Sequence, residues 1–202
     1  NMVLDNEYTN LLLHKATVAY NTQTTDLLLA ALSMSIQTIT GQDSVAICLE
    51  GHGREELHKK IVVDRTVGWF TSMYPVIIDC KADLGEHIIQ TKEILRKIPN
   101  NGLGYALVTD DVGVSADIRF NYLGEDNENE ISGSEFIYST GRNNSQLNKM
   151  PGKININGGV ANGELSFIIE CSSCSIDANT LGVCFNETLQ RIIDFCVGRE
   201  VS

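Results

Sequence analysis

The chain has 202 residues, of which 43% are hydrophobic and 20% charged, a composition typical of a globular protein with a sizeable core. Its 15 basic and 26 acidic residues give a net charge of -11, and its densest basic run is only His58-Lys59-Lys60, which argues against a nucleic-acid partner. We find neither an apolar run long enough to span a membrane nor a basic and then apolar N-terminus of the signal-peptide type, and we therefore expect a cytoplasmic protein.

Hydrophobic periodicity predicts five elements in the first half of the chain. Threonine and aspartate caps precede the second helix, which is apolar nearly all round, and Gly41 follows it. Asp83 and Glu86 have capping-box spacing before the third helix, which Pro99 ends. The predicted elements are helices over 7–20 and 27–39, strands over 44–50 and 75–80, and a helix over 83–98.

The second half of the chain is richer in predicted strands. Asn162-Gly163 is a strong hairpin signal between two alternating segments. The predicted elements are a strand over 116–123, an exposed polar connection over 125–149 with a short strand at 136–138, strands over 153–160 and 164–171, and a last helix opened by Asp177. Helices and strands mix without strict alternation, which favours an α/β fold, a mixed sheet with packed helices, in a single domain over 1–202.

Most of the six cysteines lie in apolar runs, as expected of small buried residues in a reducing compartment. They are Cys48, Cys80, Cys171, Cys174, Cys184 and Cys196. Cys171 and Cys174 have CxxC spacing, but no second pair matches them, so we predict no metal site.

Glu50 is the strongest candidate for chemistry, since it ends a predicted buried strand where partial desolvation would favour proton transfer. Gly51 and Gly53 leave room for a ligand beside it. The alternative is that Glu50 pairs with Arg54 or another cation and merely holds the bend. His52 is either a base or a residue of the turn.

Other polar and aromatic residues have weaker signals. Trp69, with Phe70 and Tyr74, lines a substrate channel or packs in the core. Asn121 and Tyr122 end a strand, where they contact a ligand or satisfy backbone groups. Arg54 and Glu55 are predicted to form an ion pair. His14, His58 and His87 lie on predicted helix or loop surfaces, and we assign them no role.

Five segments, in order, carry a resemblance to a known family. They are DLLLAAL at 26–32 (family DxLLxAxG), EGHGRE at 50–55 (unchanged), RTVGWFTSMYP at 65–75 (RTVGWFTxxYP), PNNGLGY at 99–105 (PxxGxGYG) and FNYLG at 120–124 (FNYLGQ). The chain resembles the C-terminal half of an epimerisation domain of nonribosomal peptide synthetases, within the condensation-domain superfamily. Ser33, Ala106 and Glu125 depart from the pattern.

The resemblance implies one lobe of a two-lobed fold like that of chloramphenicol acetyltransferase, with a substrate tunnel between the lobes. In this family the N-terminal lobe supplies a catalytic histidine in an HHxxxDG motif. This chain has no adjacent histidines, so we expect it to be the C-terminal lobe, inactive alone and prone to self-association.

The resemblance also implies a substrate: an aminoacyl or peptidyl thioester on the 4'-phosphopantetheine of a peptidyl carrier protein, with no cofactor bound directly. Glu50 then faces the absent histidine across the substrate, with His52, Trp69, Asn121 and Tyr122 lining the channel and Gly51, Gly53 and Arg54 shaping the bend. Two alternatives remain open at this stage: a condensation-domain lobe that forms peptide bonds, and a non-catalytic lobe that docks a carrier protein.

Overall fold

The computed structural model describes residues 1–56, 62–63, 65–109, 116–125, 152–172 and 176–199. The predicted connection over 125–149, with its short strand at 136–138, therefore lies almost wholly outside the described residues, as does His58.

One mixed six-stranded sheet organises the described part of the chain. Its strands are β1 (Met2–Leu4), β2 (Ser44–Gly51), β3 (Ser72–Asp79), β4 (Ile118–Glu125), β5 (Ile154–Ala161) and β6 (Glu164–Cys171), in the order β1-β6-β5-β4-β2-β3. The central strand β4 is parallel to both β2 and β5, and the remaining pairs are antiparallel. The prediction of an α/β fold with a mixed sheet is confirmed.

The helices of the described residues connect these strands. They are α1 (Asn6–Leu11), continued by a π-helical turn (Leu12–Ala16), α2 (Thr24–Thr40), α3 (Leu84–Arg96), a 3-10 turn (Pro99–Gly102), α4 (Tyr105–Val108) and α5 (Ala178–Val197). Two caps follow the sequence: Asp83 accepts from the Glu86 N–H at 2.8 Å, and Asp177 accepts from the Thr180 N–H at 2.8 Å. The threonine and aspartate cap predicted for α2 is wrong, because Gln23 is the N-cap and Asp26 lies within the first turn. Gly41 ends α2 at a positive φ of 73°.

The hydrophobic core lies on one face of the sheet. Alternate residues of β2 and β4, including Ile47, Leu49, Ile118 and Phe120, are buried in one cluster with the apolar sides of α2 and α5. Phe120 packs on Phe167 with ring centroids 5.4 Å apart. Because side chains alternate along a strand, the intervening residues project from the opposite face of the sheet.

The predicted and observed elements differ at their edges. β1 has only three residues and no alternation that could be recognised in the sequence. β3 begins three residues before the predicted 75, since Ser72 and Met73 pair with the end of β2. The first helix ends at Ala16 rather than at residue 20, with a π-helical last turn.

His87 was predicted at the surface, and this is wrong. Its side chain is fully buried beneath α2, with Nε2 3.0 Å from Ser33 Oγ and 3.1 Å from the Ala30 carbonyl. Ser33, which stands where the resembling family has glycine, therefore has a partner: its hydroxyl also donates to the Leu29 carbonyl at 2.8 Å. The serine and the histidine form a buried polar contact between α2 and α3.

Burial lowers the pKa of His87 from its usual 6.5, and the nearby Lys81 acts in the same direction. The folded protein thus binds this proton less readily than the unfolded chain does. We expect the His87 contribution to stability to be complete above about pH 6.5 and to be lost as the pH falls towards the lowered folded-state pKa. Urea unfolding of the complete domain between pH 5 and 8 measures this. The unfolding free energy of His87→Gln should depend less on pH than that of the wild type, and an equal pH dependence in both would contradict the role given to His87.

Candidate functional site

Three of the five sequence segments meet at the C-terminal end of β2. A Cβ on Gly51 would lie 2.9 Å from Ser72 Oγ and 3.7 Å from the Asn101 carbonyl oxygen. Gly102, at a φ of 73°, lies so close to the Tyr74 ring that a Cβ would meet it at 2.0 Å. Residues 50–55, 65–75 and 99–105 are thus packed on one another through their glycines.

The bend after β2 depends on Gly53. Its φ is 65°, and a Cβ there would lie 1.6 Å from the carbonyl oxygen of Phe70. No other residue fits this position unless the two backbones separate. The bend therefore lies directly against the segment that enters β3.

Arg54 ties the bend to the segment that follows it. Its guanidinium donates to the carbonyls of Val63 and Thr66, the latter at 3.0 Å, and lies 4.2 Å from the centre of the Phe70 ring. The predicted ion pair between Arg54 and Glu55 is wrong, because Glu55 instead lies 3.2 Å from His52. The Arg54 guanidinium therefore binds backbone carbonyls and does not pair with Glu50.

Glu50 is half-buried at the end of β2. Within the described residues its carboxylate makes no hydrogen bond and no ion pair, so the alternative of a structural pair with Arg54 has no support. Register with β3 places Glu50 opposite Met73, on the sheet face away from the core. Because no cation of the described residues pairs with it, the Glu50 carboxylate is available to a ligand at this strand end.

A cavity of about 280 Å³ opens beside this strand end. Acidic residues from three elements line it: Asp26 at the start of α2, Glu50, and Glu55 in the bend. Arg96 and Asn101 also line it. Burial raises the pKa of Asp26, whose carboxylate accepts the Gln23 N–H at 2.7 Å as a helix cap. The first segment of the resemblance, which begins at Asp26, thus reaches the same cavity.

Asn121 and Tyr122 lie on opposite faces of β4. β2 and β4 are paired through Leu49 and Phe120, and Glu50 and Asn121 follow them on neighbouring strands, both facing away from the core. Tyr122 faces the core side, with its ring 6.3 Å from that of Phe167, and burial raises its pKa. The structure brings Asn121, and not Tyr122, to the face that carries Glu50.

The side chains of His52 and Trp69 are both largely exposed to solvent. The His52 side chain is 68% exposed, and its Nδ1 accepts the backbone N–H of Arg54 at 3.0 Å, which is the turn arrangement. His52 also lines the cavity beside Glu50. Trp69 is 91% exposed, so it does not pack in the core, and it is not among the described residues that line this cavity. Channel lining by either residue stays a prediction.

A second row of polar residues, which the sequence did not single out, lies beside Glu50 on the same face. Register places Arg119 on β4 between Cys48 on β2 and Asn155 on β5. Burial raises the pKa of the Cys48 thiol, while the positive charge of Arg119 lowers it and the negative charge of Glu50 raises it. Both charges therefore act on the same buried sulfur. The sequence signal that could have indicated this row is Arg119, a single arginine within an alternating strand.

The described residues contain no group of three or more histidine, cysteine, aspartate or glutamate side chains that could hold a metal ion. Five cysteines are free thiols, and Cys174 lies outside the described part of the chain. A search of the described residues finds no helix with the length and hydrophobicity of a membrane span.

The family model of the condensation domain matches residues 2–175. The chain belongs to the condensation-domain family. It is 36% identical over 211 residues to surfactin synthase subunit 1 of Bacillus subtilis (strain 168), and 38% identical over 206 residues to bacitracin synthase 2 of Bacillus licheniformis. These matches cover 96% and 95% of this chain but only 6% and 8% of those proteins.

Solved structures agree on this condensation-domain fold. The epimerization domain from the third module of tyrocidine synthetase B superposes with a TM-score of 0.85 at 33% identity, covering 97% of this chain and 47% of that one. A four-domain nonribosomal peptide synthetase bound to AMP and glycine superposes with a TM-score of 0.68 at 15% identity, covering 100% of this chain and 17% of that one. The chain thus spans about half of the epimerization-domain chain.

Proposed function

We propose that this condensation-family chain forms one lobe of an epimerisation domain, which inverts the Cα of an aminoacyl or peptidyl thioester held on a carrier protein. The observation that carries the proposal is the half-buried carboxylate of Glu50, which has no partner cation among the described residues and lines a cavity at a strand end. The unchanged EGHGRE segment and the 33% identity to an epimerization domain favour inversion over peptide-bond formation.

The chemistry needs a base on one face of the substrate and an acid on the other. The Glu50 carboxylate takes the Cα proton, which the thioester carbonyl acidifies, and the electron pair moves into the carbonyl to give an enolate. The resemblance assigns the return of a proton on the opposite face to a histidine in the HHxxxDG motif of the other lobe. As the proton arrives, the electron pair of the enolate forms a new C–H bond on the opposite face from the bond that was broken, so the centre is inverted with no net change of atoms.

The carrier protein and its phosphopantetheine arm are part of this proposal. A long, flexible arm would bring the thioester to the strand end while the carrier domain stays outside. The polar residues of the Glu50 face, Asn121 among them, are suited to contact such an amide-rich arm, because burying its polar groups without partners would be costly.

Peptide-bond formation is the competing function, since the family model that matches the chain is that of the condensation domain. Condensation joins two carrier-bound groups and leaves the donor Cα–H bond intact. The two functions therefore differ in whether the α-proton exchanges with solvent.

Exchange of that proton tests the proposal directly. The complete domain, incubated in D2O with an L-aminoacyl or L-peptidyl thioester on its carrier protein, should incorporate deuterium at Cα and yield both stereoisomers. Mass spectrometry and chiral chromatography of the released acid measure this. The 202-residue chain alone should give no exchange, because it holds only one of the two acid–base groups. Peptide formation without deuterium uptake would instead establish condensation.

A further inference from the structure

An apolar pocket of about 300 Å³ lies next to the cavity that holds Glu50. Its walls come from β3, from the segment after α3 and from α4, and none of the described residues that line it is charged. A cavity of about 150 Å³ already admits benzene, so this pocket has room for an aromatic ring. Its aromatic and aliphatic lining consists mainly of Tyr74, Pro75, Ile98, Tyr105 and Val108.

Tyr74 joins the two cavities, because it lines both of them. Register with β2 places it opposite Leu49, the residue before Glu50. On the other side of Glu50, a Cβ on Gly51 would lie 3.8 Å from Cε1 of the Tyr74 ring. The apolar pocket therefore begins at an aromatic wall that contacts both chain neighbours of the carboxylate.

The turn after α3 also contributes to both cavities. Asn100, Asn101 and Gly102 follow one another at positive φ values of 48°, 47° and 73°, a backbone region that asparagine and glycine adopt most readily. Asn101 lines the cavity of Glu50, while Asn100 and Gly102 line the apolar pocket. Because Gly102 packs directly on the Tyr74 ring, the turn holds this ring in place beside both cavities.

The pocket is open and its apolar wall is accessible. Val108, on its α4 side, is 82% exposed, and α4 has no buried residue. An open apolar pocket gains free energy when an apolar group enters it. A protein partner needs a contact area of about 800 Å² on each side, whereas a concave pocket of this size fits a single side chain. Its shared wall with the Glu50 cavity favours a side chain of the substrate.

We propose that this pocket binds the side chain of the carrier-bound residue whose Cα meets Glu50, and that it selects large apolar side chains, aromatic ones among them. The inference rests on the proposed function for the presence of that residue. The substrate side chain packs against the ring of Tyr74 while the Cα remains at the strand end. A charged side chain is disfavoured, because the lining offers no opposite charge and burial of an unpaired charge is costly.

The test measures the affinity of the complete domain for four forms of its carrier protein. They are the carrier without the arm, with the pantetheine arm alone, and with L-alanine or L-phenylalanine joined to that arm by an amide in place of the thioester. The Kd of the phenylalanyl form should be about tenfold lower than that of the alanyl form, because the phenyl ring leaves water for an apolar pocket. Equal affinities for these two forms would overturn the proposal.

Gly104→Leu should fill the pocket without strain. Gly104 lines the pocket at an ordinary φ of -85°, and among the described residues no atom lies within 4 Å of an added Cβ. The variant should lose the about tenfold preference for the phenylalanyl form and bind the other three forms as the wild type does. Val108→Trp fills the same pocket from an exposed position and should give the same result. Thermal unfolding identifies a variant that fails to fold, and the other then remains as the test.

Leu107→Trp is the matched control. Leu107 precedes Val108 on α4 and is 88% exposed, but it is not among the described residues that line the pocket, so all four affinities should be unchanged. Equal weakening of the armless carrier by Gly104→Leu would show that this surface docks the carrier protein itself. An undiminished preference for phenylalanine in Gly104→Leu would show that the pocket is not used. Either result would overturn the proposal.

The binding measurement separates this proposal from the proposed function, because it requires no turnover. A preference for phenylalanine that Gly104→Leu abolishes, in a wild-type domain without α-proton exchange, would refute the epimerase and retain the pocket. Exchange by a wild-type domain that binds both aminoacyl forms equally would retain the epimerase and refute the pocket.

Discussion

Glu50→Gln in the complete domain should reduce α-proton exchange by about 10²- to 10⁴-fold, the usual contribution of a positioned general base. Glutamine nearly preserves the shape of the side chain but cannot take a proton. Since Glu50 makes no ion pair with a described residue, its replacement leaves no cation unpaired there, and the unfolding free energy should change by less than about 1 kcal/mol. Exchange rates in D2O and urea unfolding measure the two effects.

Glu164→Gln is the control for charge and composition. Glu164 is exposed at the start of β6, remote from the end of β2 in the order of the sheet, so exchange should be unaffected. The affinity of the domain for its carrier protein should be unchanged in Glu50→Gln. This measurement distinguishes a loss of catalysis from a loss of carrier binding. Unchanged turnover in Glu50→Gln would remove this carboxylate from the mechanism and would favour the non-catalytic docking lobe.

Gly53→Ala should damage both folding and activity. The methyl group of alanine would lie 1.6 Å from the Phe70 carbonyl oxygen, and the alanine backbone would have to adopt a φ of 65°. The backbone strain alone costs about 1 kcal/mol, and separation of the bend from residue 70 adds to it. Gly53 lies three residues after Glu50, so the carboxylate should shift by about 1 Å and exchange should fall by about 10²-fold.

Gly41→Ala isolates the contribution of strain. Gly41 has a similar φ of 73° at the end of α2, but nothing lies within 4 Å of an added Cβ. It should therefore lose only about 1 kcal/mol of stability and keep its exchange rate. Equal losses of stability in the two variants would mean that the close approach of Phe70 to Gly53 has no energetic consequence.

The five ordered sequence segments of the resemblance have a common structural cause. Four of them supply residues that contact or line the end of β2: Asp26, Glu50, Tyr74 and Asn101 all line one cavity. The fifth, which contains Asn121, lies on the neighbouring strand. The segments are separated along the chain, but the parallel pairing of β2 with β4 and the antiparallel return of β3 bring them together.

The local structure could be predicted from the sequence: the strand over 44–50, the capped helix after Asp83, the Asn162-Gly163 hairpin and the last helix. These depend on periodicity, capping and turn chemistry within a few residues, so they are encoded locally. The glycine-rich bend was visible for the same reason.

Which side chains share a face of the sheet depends on strand pairing and packing, and it could not be predicted from the sequence. Asn121 and Tyr122 are neighbours in sequence, yet strand alternation sends one beside Glu50 and the other against Phe167. His87, a polar residue on an amphipathic helix, is buried because Ser33 and the Ala30 carbonyl of another helix accommodate it. Arg119 and Asn155 lie side by side because of the register of β4 with β5, and contacts between such distant segments have no local signal.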